Sequence, residues 1–202
     1  MKTIDYIKNW LRENLSEKRY IHSIGCAEAA QKLASLFNLN EEKAYLTGLL
    51  HDCAKNLEDE KLLNIIRNDI KTGFIESELK NPKTYHAIVG AHFVKEIFEI
   101  EDNEIINAVR KHTIGSVDMT TFDKIIFLAD KIEPYKREEK YTKKLWKLLE
   151  ENKGIIGLDL ALLKCFCETI RSLIKRKLYI CPTTIYVYNK LQESVGELLE
   201  ED

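Results

Sequence analysis

Apolar residues recur with helical period almost from one end of this chain to the other. Ile4, Ile7, Trp10 and Leu11 mark a short amphipathic opening helix. Ser16 is placed to cap the next one, which carries Tyr20, Ile24, Ala27, Leu33 and Leu36. Asn40 followed by Glu41 and Glu42 reads as a cap and an acidic first turn, which suits the helix dipole. That helix runs through Leu46, Leu49 and Leu50 into His51-Asp52. After the polar run Glu58-Asp59-Glu60 comes a helix with Leu62, Leu63, Ile65 and Ile66. Gly73 and Pro82 break the mixed segment Lys71 to Lys83, which is expected to be loop with a single turn of helix. Further helices are expected from Tyr85 to Ile97, around Ile105 to Val109, and from Thr120 to Ile132, where Pro134 stops the last. Lys136 to Lys147 is strongly basic, and Gly154 to Ile174 is apolar nearly all round, the mark of a buried central helix. A last helix passes through Tyr188, Leu191 and Leu198; only Thr184 to Tyr188 has any strand character. The expectation is an all-α bundle forming a single domain over residues 1–202, with a core of about 16–135 and helices of 139–200 packed on it.

Composition narrows the function classes. The chain has 202 residues and a formal net charge of −2, with 32% charged residues, so no global basic field draws it to nucleic acid. Three prolines, eight glycines and 45% hydrophobic residues argue against disorder and against a turn-rich all-β fold. The five cysteines are odd in number and scattered, and Cys165-Phe166-Cys167 is too close for a CxxC pattern, so buried free thiols are expected. No apolar run reaches the eighteen or so residues of a membrane span, and the N-terminus lacks the layout of a signal peptide. A cytoplasmic location is expected.

The candidate chemistry lies in residues that contradict their local hydrophobicity. His51 and Asp52 close an apolar helix, Asp130 interrupts the apolar run Ile125 to Ala129, and His22 shares a helix face with Gly25, Cys26 and Ala29. One buried histidine is more often a hydrogen-bonded core residue than a ligand. Several of them with two aspartates each need a partner, and a shared cation serves them all. The donors are imidazole and carboxylate without thiolate, which suits iron, manganese, cobalt, or zinc in an open catalytic site better than a structural zinc. His86 and His92, six residues apart, point about 120° from one another on a helix, so one metal cannot take both. Spacing alone leaves that choice even.

The ordered set Arg19-Tyr20-Ile21-His22-Ser23, His51-Asp52-Cys53-Ala54-Lys55, His86, His112-Thr113-Ile114-Gly115 and Asp130 resembles the HD-domain phosphohydrolases. The closer resemblance is to the YqeK family, similar to symmetrical diadenosine tetraphosphate hydrolases, whose signatures are echoed in His112 to Gly115, Ala129 to Pro134 and Pro182 to Thr184. It covers the chain roughly from Arg19 to Asn189. The resemblance implies a metal centre held by His22, His51, Asp52 and Asp130, extended by His86 and His112, with Asp52 bridging two ions. It favours His86 over His92, and iron over manganese or cobalt. It also implies cleavage of the tetraphosphate into two ADP by attack of a metal-activated water. Asp52, and Lys55 by its position one turn on, are the expected catalytic residues.

Expected substrate contacts are Lys55, one turn after the His-Asp pair, and Gly25, one turn after His22. Lys136, Arg137 and Lys175 complete the set; Lys136 stands where the family usually has arginine, and an ammonium lacks the bidentate fork of a guanidinium. Each has a plainer reading: a solvated lysine at a helix end, a helix-packing glycine, a solvated basic face. Two other functions stay open: another HD phosphohydrolase acting on nucleoside mono- or triphosphates or cyclic dinucleotides, and a metal-stabilised nucleotide-binding module without turnover. The expected partner is a small nucleotide, not nucleic acid or membrane, and a homodimer is left open.

Overall fold

Short-range signals start the helices. The computed structural model describes residues 2–70, 73–135 and 138–198. Thr3 accepts the Tyr6 N–H at 3.2 Å to open α1 (Ile4–Asn14). Ser16 holds the cap position of α2 (Glu17–Leu36) without a side-chain bond. Asn40 accepts the Lys43 N–H at 2.8 Å to open α3 (Glu41–Leu50). α4 (Asp59–Asp69) follows a tight turn, and two 3-10 turns, Glu76–Lys80 and Pro82–Thr84, occupy the segment expected to be loop. They lead into α5 (Tyr85–Glu96), then α6 (Asn103–Lys111). α7 (Thr121–Ile132) opens with a reciprocal box, Thr120 N–H to Asp123 and Asp123 N–H to Thr120, at 2.9 and 3.1 Å. Such a cap is worth about 1 kcal/mol. α8 (Glu139–Glu151), α9 (Ile155–Lys175), α10 (Pro182–Val195) and a closing 3-10 turn, Gly196–Leu198, complete the described chain, with no strand among the described residues.

The helix expected after Pro182 forms, and it takes in Thr184 to Tyr188: Pro182 sits in the first turn of α10, where its fixed φ suits a helix start, and Thr184, Val187 and Leu191 are buried. One local expectation needs correction. α9 is buried through its middle, Gly157 to Phe166, but its ends emerge. Ile156 is 49% and Ile174 63% exposed, because apolar composition does not itself supply neighbours to cover both ends of a 21-residue helix.

Two main apolar clusters result. One joins α2, α7, α8, α9 and α10 around Leu33, Phe127, Leu162 and Phe166, where the Phe127 and Phe166 rings stack at 4.8 Å. The other joins α1, α3, α5 and α6 around Leu11, Leu49, Phe98 and Val109. A smaller cluster lies between α4 and α5. The close approach of α2 and α3 holds the clusters together. A Cβ on Gly48 would lie 2.8 Å from the Ala27 Cα, so these backbones meet at a distance only glycine permits. All five cysteines are free thiols, and no described helix is long and apolar enough to cross a membrane.

Candidate metal centre

The polar residues that interrupt the helices converge where the two main clusters meet. His22 comes from α2, His51 and Asp52 from the end of α3, His86 from the start of α5, His112 from the end of α6 and Asp130 from α7. All six are buried. The same local device orients two of the imidazoles. His51 Nδ1 lies 2.7 Å from the Gly48 carbonyl and His112 Nδ1 lies 2.6 Å from the Val109 carbonyl, each three residues back. Only a protonated Nδ1 can donate to a carbonyl, so each ring presents a bare Nε2 lone pair inward.

These donor atoms fall into two groups that share Asp52. On one side, His22 Nε2 lies 3.0 Å from Asp130 Oδ1 and 3.3 Å from His51 Nε2, and Asp52 Oδ2 lies 3.6 Å from His51 Nε2. On the other, Asp52 Oδ1 lies 3.1 Å from His86 Nε2 and 3.3 Å from His112 Nε2, with 3.2 Å between those two nitrogens. One Asp52 oxygen therefore faces each group. His22, His51 and Asp130 have the spacing to hold one ion, as do His51, Asp52 and His112.

The charges show what the pocket lacks. Burial pushes the His51 imidazole down to about 4 and the His86 imidazole to about 3, so both are neutral near pH 7. Burial also lowers His22, but its bonds to Asp130 and Glu133 outweigh it and raise the group to about 9. Burial raises Asp52, yet His51, Lys55 and His86 hold it well below the usual carboxylate range. The ionised Asp52 and the imidazole nitrogens of His51, His86 and His112 thus face one another at 3–4 Å in a buried pocket. A divalent cation satisfies that set, and its N/O donors fit one.

A cleft of about 380 Å³ opens beside His86, lined by the cations Arg19, Lys55 and Lys83, the carboxylates Glu58 and Asp59, and Asn56, Leu57, Leu62 and Pro82. Lys55 occupies its inner end, with Nζ 2.7 Å from His86 Nε2 and 3.6 Å from Asp52 Oδ1. Arg19 braces the same turn by donating to the Lys55 carbonyl and to Asn56 Oδ1.

The other expected positions fare differently. His86 joins the cluster, whereas His92 is half-buried with its ring 6.4 Å from that of Phe93. At Gly25, one of the expected substrate contacts, a Cβ would meet Glu133 Oε2 at 2.6 Å and Tyr135 Cδ2 at 2.7 Å, so a segment of the chain itself packs closely there. Lys175 is exposed in the last turn of α9, and the cleft is lined by other cations. Lys136 and Arg137 lie outside the described residues. Sequence reasoning missed Lys83, for which no local signal exists. Arg19 and Glu133 fell within the quoted motifs without being given a role: Arg19 lies one turn before His22 on the same helix, and Glu133 is a buried acid after the buried Ile132.

Comparison with known proteins places this arrangement in a class. A model of the HD domain matches residues 19–135, and the chain belongs to the HD-domain family. Within it, the chain is 34% identical over 184 residues to the symmetrical bis(5'-nucleosyl)-tetraphosphatase of Halalkalibacterium halodurans, covering 90% of this chain and 92% of the relative. It is 33% identical over 181 residues to the Bacillus subtilis enzyme of the same name, covering 90% and 93%. The fold is similar to a crystal structure of a predicted HD superfamily hydrolase involved in NAD metabolism from Clostridium acetobutylicum. That likeness has a TM-score of 0.87 at 36% identity, over 96% of this chain and 99% of the other. These relatives bear out the resemblance to the YqeK family.

Proposed function

We propose that this protein is a metal-dependent hydrolase that cleaves diadenosine tetraphosphate symmetrically into two ADP. The observation that carries the reading is Asp52, with one oxygen turned to each of two histidine groups beside a cleft lined by Arg19, Lys55 and Lys83. The curated relatives bear the name of this activity over nearly their whole length.

His22, His51, Asp52 and Asp130 would hold one ion, and Asp52, His86 and His112 a second, with Asp52 as the bridge. Imidazole and carboxylate donors without thiolate suit iron, manganese and cobalt alike, and iron is the choice that the family resemblance implies. Such ions supply Lewis acidity and a water acidic enough to attack at neutral pH.

The chain's own residues do the positioning. Lys55 sits at the junction of cluster and cleft, where its ammonium can neutralise an oxygen of the phosphate under attack. Arg19 fixes the Lys55 turn through the backbone carbonyl, so this charge does not have to be organised during the reaction. Lys83 offers a charge on the cleft wall for the phosphates beyond the scissile bond. Water attacks one of the two central phosphorus atoms, and the bond from that phosphorus to the central bridging oxygen breaks. The water oxygen stays on one ADP, and the bridging oxygen leaves with the other.

Product identification tests the reading. Protein loaded with iron, manganese or cobalt should convert the dinucleotide to ADP alone. Formation of ATP and AMP, or turnover of nucleoside monophosphates with this substrate untouched, sinks the substrate assignment. Metal and nucleotide binding without any turnover supports a binding module instead.

A further inference from the structure

Beside the metal centre lies a buried carboxylate, Glu133, that the proposed reaction does not use. It follows α7 directly and is 0% exposed. Its Oε1 lies 3.1 Å from His22 Nδ1, and its Oε2 accepts the Tyr135 N–H at 2.8 Å. The Tyr135 hydroxyl in turn donates to Glu28 Oε2 at 2.8 Å, tying this turn back to α2. The absent side chain of Gly25 makes the approach possible, since a Cβ there would overlap both Glu133 and Tyr135.

The other oriented imidazoles are held differently. His51 and His112 donate to neutral backbone carbonyls, Gly48 and Val109, whereas His22 alone among the described histidines donates from Nδ1 to a carboxylate. A full negative charge behind a ring increases electron density at the opposite nitrogen; a carbonyl dipole does so less. A buried carboxylate is also expensive unless a positive centre faces it, here reached through the imidazole.

We propose that Glu133 is a positioning residue that fixes His22 with Nε2 free for metal and makes it the strongest donor among the histidines of the centre. This rests on the reading of the cluster as a metal site.

Cobalt titration of wild type, Glu133→Gln and Glu133→Ala tests it, read by calorimetry and by the visible spectrum of the bound ion. Glutamine can still accept from Nδ1 but carries no charge, so it should weaken the tighter binding step about 10-fold and shift the spectrum. Alanine loses orientation as well and should weaken that step by up to about 100-fold. Glu28→Gln, which touches Tyr135 but not His22, should leave affinity and spectrum unchanged. Imidazole 15N resonances of the metal-loaded protein give a second readout, with His22 moving in Glu133→Gln and those of His51 and His112 staying in place. If Glu133→Gln binds cobalt with wild-type affinity and spectrum, the inference is wrong while the metal reading stands. If folded wild type binds no cobalt, the metal reading fails and takes this inference with it.

Discussion

The two sides of Asp52 use similar donors in opposite electrostatic surroundings. Toward Oδ2 lie His22, His51 and Asp130, with Glu133 behind His22, so a second and a third carboxylate surround the pair of rings. Toward Oδ1 lie His86 and His112 with the Lys55 ammonium beside them, a fixed positive charge where the first side has negative ones. On the proposed metal reading, a cation should therefore be held more tightly on the His22 side. The Lys55 side is less able to hold an ion by charge and better suited to an anion, and it is the side on which the cleft opens. One helix turn, from Asp52 to Lys55, sets this polarity.

Removing the shared residue should have the largest effect. Asp52→Ala should lower hydrolysis by on the order of 10³-fold and release metal from both sides, measured by turnover and by metal content. Single substitutions on the two sides should then separate. Asp130→Ala should weaken the tighter binding step by about 100-fold, while His112→Ala should leave that step in place and abolish the weaker one. Equal losses in calorimetric titration would erase the distinction between the sides. Lys55→Met should raise KM about 10-fold and strengthen the weaker metal step, because it removes a cation 3.6 Å from Asp52. Weakening of both binding steps would make Lys55 a structural support rather than a phosphate contact.

Metal-stripped protein should show the two sides pulling in opposite directions with pH. His51 and His86 are depressed to about 4 and 3, so between pH 6.5 and those values the unfolded chain binds protons that the fold excludes. Stability therefore falls as the pH drops below 6.5. His22 is raised to about 9; its contribution is complete below 6.5 and is lost as the pH rises through 9. A tenfold difference in proton affinity between folded and unfolded chain is worth about 1.4 kcal/mol. Urea unfolding in chelator from pH 4 to 9.5 should peak near pH 6.5, and a flat profile would contradict these assignments. The smallest effect is expected from Gly48→Ala. Prising α2 from α3 should cost about 1–3 kcal/mol and loosen metal binding on the His22 side alone.

Much of the fold was legible because its signals are short-ranged. Asn40 and Thr120 cap the helices they precede, and Pro134 follows the end of α7. The inward lone pairs of His51 and His112 are also local, since each ring binds a carbonyl three residues back in its own chain. The six metal-ligand candidates were legible for other reasons. His22, His51, Asp52 and Asp130 stand in apolar settings where burying each alone would be costly, and His86 and His112 were added by the family resemblance.

Tertiary structure decided what spacing left even or hid. On helix geometry alone His86 and His92 were equivalent; the packing of α5 against α6 brings His86 to the cluster and leaves His92 outside it. Gly25 read equally well as a substrate contact or as a packing residue, and only the tertiary structure brings Glu133 and Tyr135 against it. Glu133 meets His22 across 111 positions, a contact its motif does not reveal, and Lys83 reaches the cleft with no local mark at all. The chain alone thus announced which residues were too polar for their surroundings. Which of them share one charge, and from which side, depends on Coulombic and steric contacts between helices far apart in sequence, and only packing sets those distances.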